Sequence, residues 1–139
     1  MPHFSSMSAL AILHYVDSHP HLTVSVLVMA LCHIVKKNAR TQDQRVTAMI
    51  ELISKQATGL KARDIATTMV SCSRLRYKDR RVLRAILGAI PAVRRKFNSQ
   101  CIANTLNAMA KLDYKDDKVM RCLLKEAKQK ATDFNAQSI

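Results

Sequence analysis

The sequence predicts an all-α fold, an α-solenoid of antiparallel helix pairs with a 37–38-residue repeat, and three observations predict it. Sliding residues 60–96 onto residues 97–133 without a gap matches ten positions identically, including Ile65 with Ile102, Thr68 with Thr105, Tyr77 with Tyr114 and Val82 with Val119. Ordinary composition would match about two. Within each unit, apolar residues recur at helical spacing. The composition agrees: two Gly, three Pro and 48% hydrophobic residues in 139 favour helix and suffice for one packed domain. A single helix pair cannot hide its apolar face, and stacking neighbours solves that problem.

The domain divides into a partial unit (1–20), repeat units at 21–59, 60–96 and 97–133, and the start of a further unit at 134–139. Ser8 to Val16 is apolar on most sides and reads as a buried helix closed by Asp17-Ser18-His19-Pro20, with His19 and His21 as exposed turn residues. The first full unit begins near Leu22. Its Leu27 and Leu31 precede Ile65 and Met69 by 38 residues, whereas Val46 and Ile50 precede Val82 and Ile86 by 36, so its inter-helix turn at residues 37–42 is longer by two. In the second unit Ile65, Ala66, Met69 and Cys72 make the buried face of one helix. Val82, Leu83, Ile86, Leu87 and Ile90 make that of the next, which Pro91 should kink or end. In the third unit Asn98 or Ser99 caps a helix burying Ile102, Ala103, Leu106, Met109 and Ala110. Asp116 or Asp117 caps its partner, which buries Val119, Met120, Leu123 and Leu124. Phe134 to Ile139 repeats Phe97 to Ile102 at four of six positions, so a longer native chain is expected.

Charge is concentrated. The net +13 and pI near 10.1 call for an anionic partner, most often nucleic acid, and residues 60–96 alone carry eleven cations against two acids. Cys32, Cys72, Cys101 and Cys122 form no CxxC pair, and they read as small hydrophobes in a reducing compartment, not as zinc ligands or disulfides. Val24 to Val35 is too short to cross a bilayer, and no signal or transit pattern opens the chain. No phosphate loop, GxSxG, HExxH or paired-carboxylate constellation is present, so neither catalysis nor a cofactor is expected.

The cations that could touch RNA fall into patterns. Lys36, Arg74 and Lys111 occupy one place in successive first helices and would draw a line suited to phosphates. Cations at a helix C-terminus are also favoured by the dipole without any ligand. Thr67 and Asn104 share one repeat position, and Asn107 lies one turn before Lys111, where amide side chains could read base edges. Arg80, Arg81 and Arg84 begin a helix, where a bound anion explains cations better than the dipole does. Arg94, Arg95 and Lys96 end one. Tyr77 and Tyr114 in the inter-helix turns are read as packing residues in preference to base-stacking ones.

The run Phe97-Asn98-x-Gln100-x-Ile102-Ala103-Asn104-Thr105-Leu106-x-Ala108-Met109-Ala110-Lys111-Leu112 resembles the hepta- and octotricopeptide repeats. These occur in organellar proteins that include RAP-domain proteins and relatives of the Fas-activated serine/threonine kinase family. The resemblance covers residues 97–117 best and 60–80 next, departs from the family at Asn107, and includes no RAP domain. It implies an RNA-binding solenoid of the mitochondrial matrix, or of a plastid, contacting ribosomal RNA beside other ribosomal subunits, or else a factor in mRNA stability or processing. A protein–protein scaffold is the alternative from a different class, and neither a membrane nor a small-molecule substrate is expected.

Overall fold

A computed structural model describes residues 3–37 and 43–138, with side chains through residue 132. The described residues form an all-α domain of packed helices without strands: α1 (Ala9–Ser18), α2 (Val24–Lys36), α3 (Gln44–Lys55), α4 (Ala62–Leu75), α5 (Arg80–Leu87), the single turn α6 (Ile90–Val93), α7 (Ser99–Lys111) and α8 (Asp117–Ser138). Short 3-10 turns at Phe4–Ser6, Ala57–Gly59 and Arg94–Lys96 fill the connections. Most of the expected longer turn at 37–42 lies outside the described residues.

Helix starts follow local chemistry. Ser8, Thr23, Asp43, Asp79 and Asn98 each accept a hydrogen bond from a backbone N–H in the first turn of the helix they precede, satisfying amides that have no intrahelical partner. Asn98, not Ser99, therefore caps α7. Asp116 accepts from the Val119 N–H and starts α8. At α4, Asp64 reaches back to the Lys61 N–H at 3.2 Å, and the same carboxylate accepts from the Ser25 hydroxyl at 2.8 Å, tying α2 to α4.

The two inner helices end alike. The Tyr77 N–H donates to the Cys72 carbonyl and the Arg76 N–H to that of Ser73, with Arg76 left-handed at φ 56°. The Tyr114 N–H donates to Met109 and the Asp113 N–H to Ala110, with Asp113 at φ 52°. Both are Schellman closures at equivalent points of the two units, made without the glycine that usually occupies them.

Helix α4 lies between α2 and α7 and makes its most extensive contacts with α7; α5 packs on α3, and α8 on α7 and the Arg94–Lys96 turn. The expected core of the second unit is buried throughout, and so are Leu27, Leu31, Val46 and Ile50 of the first. Four expectations need correction. In the third unit Ala103, Ala110, Met120 and Leu124 are exposed, because no described helix covers the side of α7 and α8 away from α4. Helix α1 is half-exposed, since it packs through one side only: Ile12 and Leu13 are buried while Leu10 is 67% exposed. Helix α5 stops at Leu87, ahead of Pro91, which has no N–H to give the Leu87 carbonyl and instead opens α6. Helix α8 runs on to Ser138, through the point where a further unit was expected to open.

His33 is half-buried beside the Phe4 ring (6.3 Å between centroids), and its pKa is lowered by burial first and then by Lys36 and Lys37. The unfolded chain therefore takes up the proton more readily than the folded one. Stability should be unaffected above the ordinary value of 6.5 and should decline as pH falls below it. Melting curves of the parent and His33→Gln between pH 8 and pH 5, at about one-unit steps, check this, the variant showing the flatter profile.

Candidate nucleic-acid interface

Four residues spaced i, i+4, i+7 and i+11 share one stripe of a helix. On α4 that stripe is Arg63, Thr67, Val70 and Arg74; on α7, 37 residues later, it is Gln100, Asn104, Asn107 and Lys111. All eight are exposed or half-buried, whereas Ile65, Met69 and Cys72 on the same α4 are fully buried. On α2 the corresponding residues are Ser25, Met29, Cys32 and Lys36. Only the terminal cation persists there, so the polar stripe is strongest where α4 meets α7.

Between those two helices the stripes border two open concavities. One, of about 360 Å³, gathers Arg63, Thr67, Lys96, Asn98, Gln100 and Asn104 at the N-terminal end of α4 and α7. The other, of about 570 Å³, is lined by Ser73, Arg74, Arg76, Lys78 and Lys111 at the opposite end. Eleven residues of helix separate Arg63 from Arg74, about 16 Å at 1.5 Å per residue. Two cationic ends thus flank a polar middle, and the second end holds four cations and no acid.

The expected site residues are distributed unequally over this surface. Arg74 and Lys111 come together in the four-cation end; Thr67, Asn104 and Lys96 come together in the other. Asn107 and Lys36 are exposed on their stripes. Arg94 and Arg95 part company with Lys96 and line a third concavity of about 540 Å³ with Lys125, Glu126 and Lys130. Arg94 lies 3.8 Å from the Glu126 carboxylate, and Lys130 Nζ donates to the Arg95 carbonyl, so this cluster also fastens α8 to the preceding turn. Arg80, Arg81 and Arg84 are exposed on α5 and line none of the three concavities, and Asp79 already supplies a carboxylate to that helix start. With Asp79 accepting from the Arg81 and Val82 N–H groups, that helix start has less need of a bound anion. Tyr77 is half-buried against the core, its hydroxyl pushed up to about 12 by burial and then by Asp79 and Glu51. Burial also pushes the Cys72 thiol up to about 12.

Arg63, Gln100, Arg76 and Lys78 were not singled out from the sequence. The repeat carried the signal for Arg63 and Gln100, which open the same stripe in two units. Lys78 stands at the position of Lys115, an identity that drew attention to the turn instead of to the groove. Arg76 gave no pattern, since its counterpart is Asp113.

Among the described residues no group of His, Cys, Asp and Glu could hold a metal ion, and no helix is long and apolar enough to cross a membrane. Comparison of the chain with family models, curated proteins and solved structures gives no match.

A non-glycine residue in the left-handed conformation costs about 1–2 kcal/mol, and Arg lacks the short side chain that eases it for Asn or Asp. Arg76→Gly should therefore stabilise the fold by about 1 kcal/mol while removing one cation of the groove. A higher urea midpoint together with weaker RNA binding is the expected result. A gain in stability with RNA affinity untouched would remove Arg76 from the interface.

Proposed function

We propose that this chain is an organellar RNA-binding protein of the hepta-/octotricopeptide type, an α-solenoid of antiparallel helix pairs whose first helices carry the RNA. The observation that carries the reading is the pair of matched stripes on α4 and α7, cationic towards both ends and polar between. Cations there meet phosphates, and Thr67, Asn104 and Asn107 stand where unstacked bases would lie between them. A folded duplex fits less well than a single strand or loop, whose bases can splay towards side chains.

Ribosomal RNA of a mitochondrial ribosome is the substrate proposed from the resemblance, and the dense basic surface between α4 and α7 suits it. Ultraviolet crosslinking in cells, followed by sequencing of the bound RNA, tests it. Reads concentrated on ribosomal RNA, with peptide adducts on α4 and α7, support it; messenger RNA reads would make the chain a stability or processing factor. Adducts confined to α3 and α5 would overturn the interface.

A further inference from the structure

The groove between α4 and α7 gathers six of the chain's 23 Lys and Arg residues. A second concentration lies on the other row of helices. Residues spaced i, i+3 and i+7 share a stripe. On α5 that stripe is Arg81, Arg84 and Gly88, and 37 residues later, on α8, it is Lys118, Arg121 and Lys125. All six are exposed, and the five cations make no ion pair among the described residues. Lys125 and Arg95 also open onto the concavity of about 540 Å³ whose one acid, Glu126, is already engaged by Arg94 and Lys130. Both rows turn their apolar sides into one core, α4 through Ile65 and Met69 and α5 through Val82 and Ile86, so the two cationic stripes look away from each other. Arg81 and Arg84 stay exposed in a unit whose Leu83 and Leu87 are buried, so the stripe is not a face awaiting a further layer of helices.

We propose that α5 and α8 form a second phosphate-binding surface, and that its ligand is double-helical RNA, held at the same time as the single strand in the groove. The inference rests on the reading of the chain as an RNA-binding protein. What lies between the cations decides the form of RNA. In the groove, Thr67, Asn104 and Asn107 stand between the cationic ends and can meet bases. On α5 the other exposed residues beside the arginines are Ala85 and Gly88, which offer a base neither a hydrogen bond nor a ring to stack on. A duplex asks for neither, since it turns its bases inward and is recognised through phosphates and 2′-hydroxyls. The small side chains at 85 and 88 also let a stiff backbone lie close. The same absence of an apolar anchor on α5 disfavours an acidic protein, whose interface would need one at its centre. Like charges gathered on one face repel, and neutralisation by a polyanion relieves that cost.

The probe is a fluorescein-labelled blunt RNA duplex of about 16 base pairs, titrated with the full chain alone and with the chain already saturated by an unlabelled single strand, and followed by anisotropy at several salt concentrations. Similar affinity in the two titrations is expected. Replacing Arg81, Arg84, Lys118, Arg121 and Lys125 together by Gln should weaken duplex binding at least about tenfold and flatten its salt slope by up to about 4.5. The melting temperature and the affinity for the single strand should stay those of the parent. Arg84→Gln with Arg121→Gln alone should lose part of the duplex affinity, and Arg74→Gln with Lys111→Gln, in the groove, should weaken the single strand and spare the duplex. Competition between duplex and single strand for one site, or duplex binding indifferent to the five substitutions, overturns the proposal and leaves the groove standing as an RNA site. A chain that binds neither RNA overturns the proposed function and this inference with it. Loss of acidic proteins from pull-downs by the five substitutions, at unchanged duplex affinity, overturns the duplex in favour of a protein partner.

Discussion

Replacing Arg63, Arg74, Arg76, Lys78 and Lys111 together by Gln is expected to lower affinity for single-stranded RNA about 10³-fold at 0.15 M salt, taking roughly 0.7 of log–log slope per phosphate contact. The five residues occupy the two cationic concavities between α4 and α7. If each meets one phosphate, the salt dependence should flatten by about 3.5 in slope, with little change across sequences, because phosphates carry no base identity. Folding should survive, since all five are exposed and make no ion pair among the described residues. Removing like charges from one groove should, if anything, favour the folded state slightly. Anisotropy titrations at several salt concentrations, beside a melting curve, decide it. A folded variant with the parent's affinity and slope would sink the RNA reading, whereas Thr67→Ala with Asn104→Ala should change base preference more than slope.

Phe97→Ala should be the most damaging single substitution for the fold, costing about 3–5 kcal/mol of the 5–15 that a domain of this size commonly has. Phe97 is fully buried and stands one residue before the Asn98 cap, with Ile102 five residues further on. Leu60 and Ile65 hold the same places around α4, and Leu22 and Leu27 around α2. An apolar residue before the cap and another in the first turn fix the angle at which the chain enters a helix. Losing the ring would thus leave a cavity and free the entry of α7 together. Phe97→Leu, the side chain the second unit uses, should cost less than about 1.5 kcal/mol. Urea midpoints of the two variants check the contrast, and an Ala variant as stable as the parent would contradict the placement of Phe97.

Helix positions and the interior of the second unit were legible from the sequence because periodicity and spacing are local properties. The repeat also assigned Arg74 and Lys111 to one place, and the structure brings both to one groove. Whether an apolar face is covered is a different question. Ala103, Ala110, Met120 and Leu124 have the periodicity of buried residues, yet burial depends on what stands opposite, which no spacing within a helix records. Arg94 and Arg95 looked continuous with Lys96, but a 3-10 turn after Pro91 sends them apart, and Glu126, 32 residues away, engages Arg94. Ile90 was expected on one helix with Val82 and Leu87, which Pro91 would kink or end; the break comes at Leu87 because Pro91 acts on the carbonyl four residues before it, not on its own position.

Helix α4 touches helices on two sides, whereas α1 is held through one. When each layer is held only by its neighbours, unfolding need not be all-or-none: the ends can fray while the middle persists. Of the groove's two walls, α4 is gripped by α2 and α7, and α7 by α4 and α8. RNA spanning both walls would then act as a splint, holding α7 against α4, and the affinity measured would include the work of keeping the two walls together.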